Sequence, residues 1–479
     1  MIGRRRFLMV AATSLAAPYV LRTVARAQGP RVRVDVQSLS PSDPFFAKYG
    51  QAVQAMHQLP SSDQRNWRNQ ALIHINHCPH GAQDFVHWHR HYIHNYELIC
   101  GHLIGDTSFS LPYWNWSAKQ GIIPDPFFDL NLLNVQFWND PSNAQSDNWG
   151  PDTVITVGTR GLAKGQGLQD DPNAGQDFTQ AAIDAIQQES RFQIFTRQLE
   201  TQPHNNGHVI SGRPNGHMID GMSPLDPIFW LHHCNIDRIW AEWQTAGNNT
   251  PSLSGNYNNQ FVDGTGQPVT ASSATALDFA AMGYTYDTLS GPTVAAAQQR
   301  LGLRAASAKP AFQAPEPQSL GVNATPQTAA LAVQTSFTVK TQDVVSQLFR
   351  ARNFLATKVP SVQRLAVGGG RIVAAITATA PPGPAPIICK VFANCPYLKP
   401  DTPSTDPHFA GSFSFFGQHG HGHGPGEFYI DLTNALRAQA GEGRIDPAQV
   451  NVQLMPVASA PGAVTEVTFS VQKVELLSV

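Results

Sequence analysis

Six histidines, falling into two spaced sets, are the residues of this chain with the most chemistry in them. His74, His80 and His89 form one set, and His204, His208 and His233 form the other. Fourteen of the 18 histidines lie between His57 and His233. Imidazole nitrogen binds copper strongly and can leave a coordination position open for oxygen. Two three-histidine sets on one chain therefore suggest a pair of copper ions with dioxygen between them. His204 and His208 are four apart, so a helix puts both on one face. His233 follows in a new helix, and His80 and His89 bracket a short turn into another. An i,i+4 histidine pair alone is weak evidence, because core or surface histidines produce the same spacing. The flanking sequence is far more specific.

The elements that must hold these rings can be read from periodicity. Residues 34–57 read as a lead-in segment and helix, with Ser40, Pro41 and Ser42 near its start. Residues 63–78 read as a second helix, with Asp63 as a cap and Trp67, Ala71, Leu72 and Ile75 at helical spacing. Residues 84–104 make a third, supplied with Phe85, Trp88, Tyr92 and Tyr96. Residues 178–200 are helical again, and a further turn or two carries His204 and His208. Asp226-Pro227 opens a strong helix bearing Phe229, Trp230, His232, His233 and Trp240. Histidine-bearing helices of this kind imply a bundle with metals between them. Residues 117–175, rich in Asn, Asp, Gly and Pro, predict a long surface excursion. Residues 245–300 are assigned to the same domain.

From 305 to 330 the chain is rich in Ala, Pro and Gln, which reads as a linker. Beyond it the period changes. Short β-rich runs at 337–339, 364–367, 372–376, 387–391, 413–415, 428–430, 450–454 and 467–471 are separated by Gly and Pro, which predicts an all-β sandwich. The expected fold class is multidomain α+β. A mainly helical, four-helix-bundle dicopper domain (28–304) is followed by the linker (305–330) and a C-terminal β-sandwich (331–479).

The N-terminus reads as a targeting signal over residues 1–27. Arg4, Arg5 and Arg6 precede Phe7-Leu8, an apolar stretch runs to about Leu21, and Ala25-Arg26-Ala27 offers a small-residue cleavage site. The paired arginines resemble a twin-arginine signal. That predicts export to the periplasm or the extracellular space, with membrane contact through the signal only. Such a route carries folded proteins and suits one loaded with metal beforehand. A formal net charge of -2, with no long basic run beyond the N-terminus, argues against nucleic acid as a partner. Five cysteines make no disulfide framework in a chain this long. Cys100 and Cys234 are expected to be buried, and Cys389 and Cys395 are near enough in sequence for a local disulfide.

Several longer motifs carry a family resemblance. Ala52-Val53-Gln54-Ala55-Met56-His57-Gln58-Leu59-Pro60, with Trp67 and Gln70-Ala71-Leu72-Ile73-His74, resembles the opening of polyphenol oxidases. Cys78-Pro79-His80-Gly81, then Trp88-His89-Arg90 and Tyr96-Glu97, resembles the first copper motif of the tyrosinase family, and Leu111-Pro112-Tyr113-Trp114-Asn115-Trp116 follows. Pro203-His204-Asn205 with His208, then Ser223-Pro224-Leu225-Asp226-Pro227-Ile228-Phe229-Trp230-Leu231-His232-His233, resembles the second. In the C-terminal part, Lys390-Val391-Phe392-Ala393-Asn394, His408-Phe409-Ala410-Gly411-Ser412-Phe413-Ser414-Phe415-Phe416-Gly417 and Tyr429-Ile430-Asp431-Leu432-Thr433 look like the C-terminal domain of polyphenol oxidases and haemocyanins.

The resemblance implies a type 3 centre of two copper ions using O2. His74, His80 and His89 would hold the first ion, with His77 the alternative to His74. His204, His208 and His233 would hold the second. His232 would support the ligands rather than bind. Asp237 would do the same or form a salt bridge. In fungal tyrosinases and molluscan haemocyanins a cysteine placed like Cys78 is thioether-linked to the histidine matching His80. A glutamate and an asparagine matching Glu200 and Asn205 are proposed in the family to orient a water that accepts the phenol proton. A rim at 216–222, with Met218 and Met222, would shape aromatic access. The C-terminal domain would act as a lid. His419, His421 and His423 read as a flexible hairpin tip or a copper-capture tract.

The implied activity is that of a tyrosinase or polyphenol oxidase, ortho-hydroxylating monophenols and oxidising o-diphenols to o-quinones. The alternatives are a catechol or o-aminophenol oxidase without monophenol activity and a haemocyanin-like oxygen carrier. Partners would be small phenols, O2 and a copper chaperone.

Overall fold

The computed structural model describes residues 29–140, 160–251, 253–289, 316–342, 344–348, 370–382, 386–417 and 424–479. The N-terminal signal, the run at 364–367 and the His419, His421 and His423 tract lie outside the described residues. In chain order the helices of the first part are α1 (Pro44–Gln58), α2 (Trp67–His77), α3 (Phe85–Leu103), the short α4 (Pro126–Asp129) and α5 (Val135–Asn139), α6 (Gln180–Gln187), α7 (Phe192–Leu199), α8 (Asn205–Gly212) and α9 (Ile228–Thr245).

Local chemistry sets their ends. At α1 the Asp43 side chain accepts from the Phe45 N–H at 2.9 Å and Pro44 takes the first helical position. The helix then buries Phe46, Tyr49, Val53 and Met56, a stripe at helical spacing. At α2 the cap is Asn66, which accepts from the Arg68 N–H at 2.9 Å, and not the expected Asp63. Asp63 instead turns on itself, accepting from the Arg65 N–H at 2.9 Å and from its guanidinium at 2.7 Å. A short acid bonded to its own neighbours competes with helix formation, so the helix starts one turn later. The span expected to be one helix over 178–200 is two, α6 and α7. Glu189 sits between them, accepting from the Arg191 N–H at 2.8 Å while its carbonyl takes the Trp243 indole at 2.6 Å. At α9 the Asp226 carboxylate accepts from the Ile228 N–H at 3.0 Å beside Pro227, as the motif predicts.

α3 and α9 form the centre of the bundle and are buried around most of their circumference. Tyr96 of α3 stacks on Trp230 of α9, with Tyr92 4.6 Å from the same ring. A strand closes the layer: β1 (Arg31–Arg33) pairs in parallel with β2 (Tyr284–Tyr286). It carries Arg33, fully buried, to Glu97 at 3.1 Å and Asp237 at 3.2 Å.

The second part begins inside the stretch expected to be linker. β3 (Gln318–Asn323) and β4 (Gln327–Ala330) both pair with the last strand. They are held by main-chain pairing and bury few apolar side chains, which is why composition alone read them as linker. β5 (Thr335–Lys340), α10 (Val344–Leu348), β6 (Ile372–Thr379), β7 (Ile387–Ala393), β8 (Phe409–Phe413), β9 (Gly426–Asp431), α11 (Thr433–Gly441), β10 (Gln449–Ala458) and β11 (Thr468–Ser478) complete it. One sheet has the order β5-β10-β7-β8 and the other β3-β11-β6-β9, with β4 also on β11. The molecule is thus a multidomain α+β protein, a helical bundle followed by a β-sandwich.

The two parts share a core. Along β7, Cys389, Val391 and Ala393 face the inside of the sandwich, while Ile388 and Phe392 join the apolar core of the helical part. Period-two alternation in a strand with both faces covered leaves an almost unbroken apolar run. The one ion on that strand, Lys390, is fully buried and donates to the carbonyls of Pro400 and Thr402, each at 2.7 Å. All five cysteines are buried and none forms a disulfide, Cys389 and Cys395 included. Among the described residues no helix is long and apolar enough to cross a membrane.

Candidate metal centre

α2 carries His74, the connection after it carries Cys78 and His80, and α3 carries His89. The other set comes from a break in a helix. After α7 the chain makes one wide π-type turn, Glu200–His204, in which the Asn205 N–H reaches back to the carbonyl of Glu200. Pro203 lies inside it and has no N–H to give to a regular helix. π-turns of this kind recur at functional sites. Here the turn delivers His204, α8 delivers His208, and α9 brings His232 and His233.

The rings converge. His74 and His80 have centroids 5.1 Å apart, His80 and His89 5.7 Å, and the potential ligand atoms of His74, Cys78, His80 and His89 all lie within 4.8 Å of one another. In the second set His204 and His208 are 4.6 Å apart. The sets face each other: His89 stacks on His233 at 4.2 Å, and His80 lies 5.5 Å from His204. His77, the alternative to His74, is exposed on α2 and turned away. His87 packs between Phe192 and Trp240, and His91 faces Ser272 and Thr275.

His232 and His233 compete for the third place in the second set. By donor distance His204, His208 and His232 group within 4.8 Å. By position His233 lies between the two sets, its Nε2 3.3 Å from Nε2 of His208 and its ring on His89. His232 lies on the far side, 4.9 Å from Trp116. A second ion facing the first set would be held by the ring on that side, which favours His233.

Burial and hydrogen bonding prepare these rings for a cation. Removal from water pushes His74 down to about 4 and holds His89, His204, His208 and His233 well below the usual histidine range. They are therefore neutral at pH 7, with lone pairs to give. The Nδ1 atoms of His74, His89 and His208 donate to the carbonyls of Gly221, Phe85 and Met218 at 2.8, 2.8 and 2.9 Å. A bonded Nδ1–H leaves Nε2 as the donor to a metal. Nε2 of His74 and of His204 is buried without a hydrogen-bond partner, a costly state unless something else binds there. The residues fit a pair of nitrogen-preferring ions. Cys78 Sγ lies 3.3 Å from Nε2 and 3.5 Å from Nδ1 of His80, nearly equidistant from the two nitrogens that flank Cε1.

The other sequence-derived residues fall variously. Glu200 is buried, with Oε1 accepting from the Gly81 N–H at 2.5 Å and Oε2 3.4 Å from Arg197. Burial pushes its carboxyl up to about 7, and Arg197 pulls the other way. Asn205 Oδ1 accepts from Nδ1 of His204 at 2.8 Å, and its amide donates to the Ser414 carbonyl at 3.3 Å. No side-chain hydrogen bond among the described residues joins Glu200 to Asn205; the bond between them is the main-chain one of the π-type turn. Of the two roles expected for Asp237, support of a histidine ligand or a salt bridge, the structure shows the salt bridge. It accepts from Arg90 at 2.5 Å, Arg33 at 3.2 Å, and the hydroxyls of Tyr284 and Tyr286 at 2.6 Å each. Two arginines outcompete an imidazole for a buried carboxylate because they stay charged there.

The C-terminal part reaches into the centre. Phe416 lies on the His208 ring at 3.8 Å and 10°, with His80 5.2 Å and His204 5.7 Å away. Gly417 adopts φ +74°, and a Cβ there would overlap His80. The motif named the stretch but not the residue. A signal was present, since Phe413 and Phe415 alternate into the sandwich core and Phe416 breaks the period, so it must face the other way.

Comparison with known proteins agrees with this geometry. Residues 47–246 match the model of the common central domain of tyrosinase. The chloroplastic (+)-larreatricin hydroxylase of Larrea tridentata is 28% identical over 294 residues, covering 53% of this chain and 49% of its own length. The chloroplastic polyphenol oxidase of Spinacia oleracea is 28% identical over 299 residues, covering 52% and 46%. The chain spans about half the length of these curated relatives. The solved latent apple tyrosinase superposes with a TM-score of 0.53 at 20% identity, covering 97% of this chain and 99% of that one.

Proposed function

Because the chain belongs, through residues 47–246, to the tyrosinase and polyphenol oxidase family, we propose that it is an exported copper enzyme that uses O2 to ortho-hydroxylate monophenols and to oxidise o-diphenols to o-quinones. One observation carries the reading: two sets of buried imidazoles face each other across a few ångströms. His74, His80 and His89 hold one ion, and His204, His208 and His233 the other. When bound, the copper pair supplies the two-electron chemistry with dioxygen.

The chain's own residues do the rest. The carbonyls of Gly221, Phe85 and Met218 fix the imidazole tautomers. The buried apolar wall, with Phe229 4.3 Å from His233, excludes water and stacks an aromatic substrate. Glu200, poised near neutrality, takes the phenol proton that would otherwise leave only near pH 10. Cys78 forms a thioether to His80, which pins that ring and consumes the thiol; the S–H and one ring C–H are lost, with two electrons and two protons passing to O2. A mass lower by two hydrogens in copper-loaded protein, restored in Cys78→Ala, tests this. Residues 1–27 direct export by the twin-arginine route, and residues 331–479 form a lid with Phe416 standing where a phenol ring would lie. Asn205 favours a second reading in the covered state. Its side chain is tied to His204 and Ser414, which leaves one N–H and one lone pair; if the docked domain turns these away from the substrate, oxidation of o-diphenols alone would survive.

Purified chain should bind two copper ions and, once the C-terminal domain is displaced from the centre, consume oxygen with tyrosine, catechol and an o-aminophenol. Uptake with catechol alone selects the second reading. Fewer than two coppers in active material refutes both.

A further inference from the structure

Residues 216–222 run between α8 and α9 and touch both histidine sets with main-chain atoms. The Met218 carbonyl accepts from Nδ1 of His208 at 2.9 Å. Three residues on, the Gly221 carbonyl accepts from Nδ1 of His74 at 2.8 Å. A carbonyl oxygen can only accept, so both rings are fixed with the proton on Nδ1 and the lone pair on Nε2. His74 lies in the first set and His208 in the second.

The piece that joins these carbonyls is stiffly held. Its own turns bond the Asp220 N–H to the His217 carbonyl at 3.3 Å and the Ser223 N–H to the Asp220 carbonyl at 3.0 Å. The Asp220 carboxylate accepts from the Met222 N–H at 2.8 Å. It is also gripped from two sides. A Cβ on Gly221 would stand 2.7 Å from Cγ1 of Ile75 on α2, and one on Gly212 of α8 would overlap the main chain at Met218 and Ile219. Both carbonyls therefore move together or not at all.

We propose that residues 218–221 are a shared positioning element that couples the two metal sites. Seating a metal on His74 sets the loop that orients His208, and the reverse holds by linkage. The proposal rests on the copper reading above and adds a route by which one site prepares the other. Charge alone works the opposite way, since two cations this close repel.

The test is anaerobic Cu(I) loading of the full-length chain against a competing chelator. The unmutated chain is loaded first; if it takes no copper, the metal reading falls and this proposal with it. In a His80→Ala/His89→Ala background only the second site remains. There Gly221→Ala, whose carbonyl touches His74 alone, is expected to lower second-site affinity by about 5-fold or more. In a His204→Ala/His233→Ala background, Gly212→Ala is expected to lower first-site affinity similarly. Unchanged affinities in glycine variants that keep their near-UV circular dichroism overturn the proposal. Should those variants not fold, amide exchange in the two parent backgrounds decides. Copper in either site alone is expected to slow exchange across all of 218–222. Protection confined to the half beside the loaded site overturns the proposal.

Discussion

Replacing Phe416 by alanine in the full-length, copper-loaded chain is expected to convert a covered centre into one that admits small phenols. The ring lies parallel to His208 at 3.8 Å and is 3% exposed. Truncating a buried phenylalanine costs about 3–5 kcal/mol, and this loss falls on the docked arrangement alone. At about 1.4 kcal/mol per factor of ten, docking of the sandwich weakens by roughly 10²–10⁴-fold. The polar contacts remain to seat the domain: Ser412 Oγ with Asp177 at 2.5 Å, the Asn206 amide with the Ser412 carbonyl at 3.2 Å, and Ser404 N–H with the Pro172 carbonyl at 2.9 Å. The vacated space is that of one six-membered ring, and an apolar hole of about 150 Å³ is enough to hold benzene. A phenol could therefore enter even while the domain stays docked. Oxygen consumption with catechol, at matched copper content, is expected to rise at least about tenfold in Phe416→Ala and not at all in Phe416→Trp. A Phe416→Ala protein with two coppers, native folding and wild-type turnover would show that another part of the interface bars the substrate.

Other perturbations follow from the same geometry. Glu200→Gln is expected to lower monophenol turnover by about 10²-fold or more while sparing catechol; equal losses discard its role as proton acceptor. With Glu200 poised at about 7, wild-type monophenol turnover should fall as pH drops below neutrality, since only the ionised carboxylate can take a proton. Asp177 is buried and pushed up to about 7 from 3.8. The folded state therefore holds a proton the unfolded chain has released, and its stability declines as pH climbs through that window. Asp177→Asn should match the wild type near pH 4 and exceed it at pH 8 by up to about 4 kcal/mol in denaturant titrations; a constant difference across pH refutes this. Arg33→Ala strands Glu97 and Asp237 in the interior and is expected to cost about 3–5 kcal/mol in the same measurement. A loss below about 1 kcal/mol would mean the remaining arginines neutralise both acids.

The parts of the centre legible in the sequence are those whose information is local. His74 and His89 sit in helical runs, His204 and His208 share an i,i+4 face, and Asp226-Pro227 announces α9 through its own capping chemistry. What stayed hidden depends on partners far along the chain. Asp237 was legible as support for a histidine or as half of a salt bridge, and the choice was hidden because the arginines that capture it are 147 and 204 residues away. Asn205 was legible as a residue near the metals, but the Ser414 carbonyl that holds its amide belongs to another domain. β3 and β4 were missed because main-chain pairing has no composition. The carbonyls of Met218 and Gly221 were invisible for a similar reason: any residue type supplies a carbonyl, and only the path of the loop decides where it points.

The pairing of Arg31–Arg33 with Tyr284–Tyr286 also bears on when the protein can finish folding. Synthesis proceeds from the N-terminus, so all six histidines leave the ribosome well before Tyr284 does. Until then Asp237 lacks the two hydroxyls that it will accept from, and the strand bearing Arg33 has nothing to lie against. The helices around the metals are thus assembled early but latched late, by a seam joining one of the first stretches made to one made some 250 residues afterwards. A nascent chain interrupted before that seam would hold every ligand without the strand pair that latches the bundle.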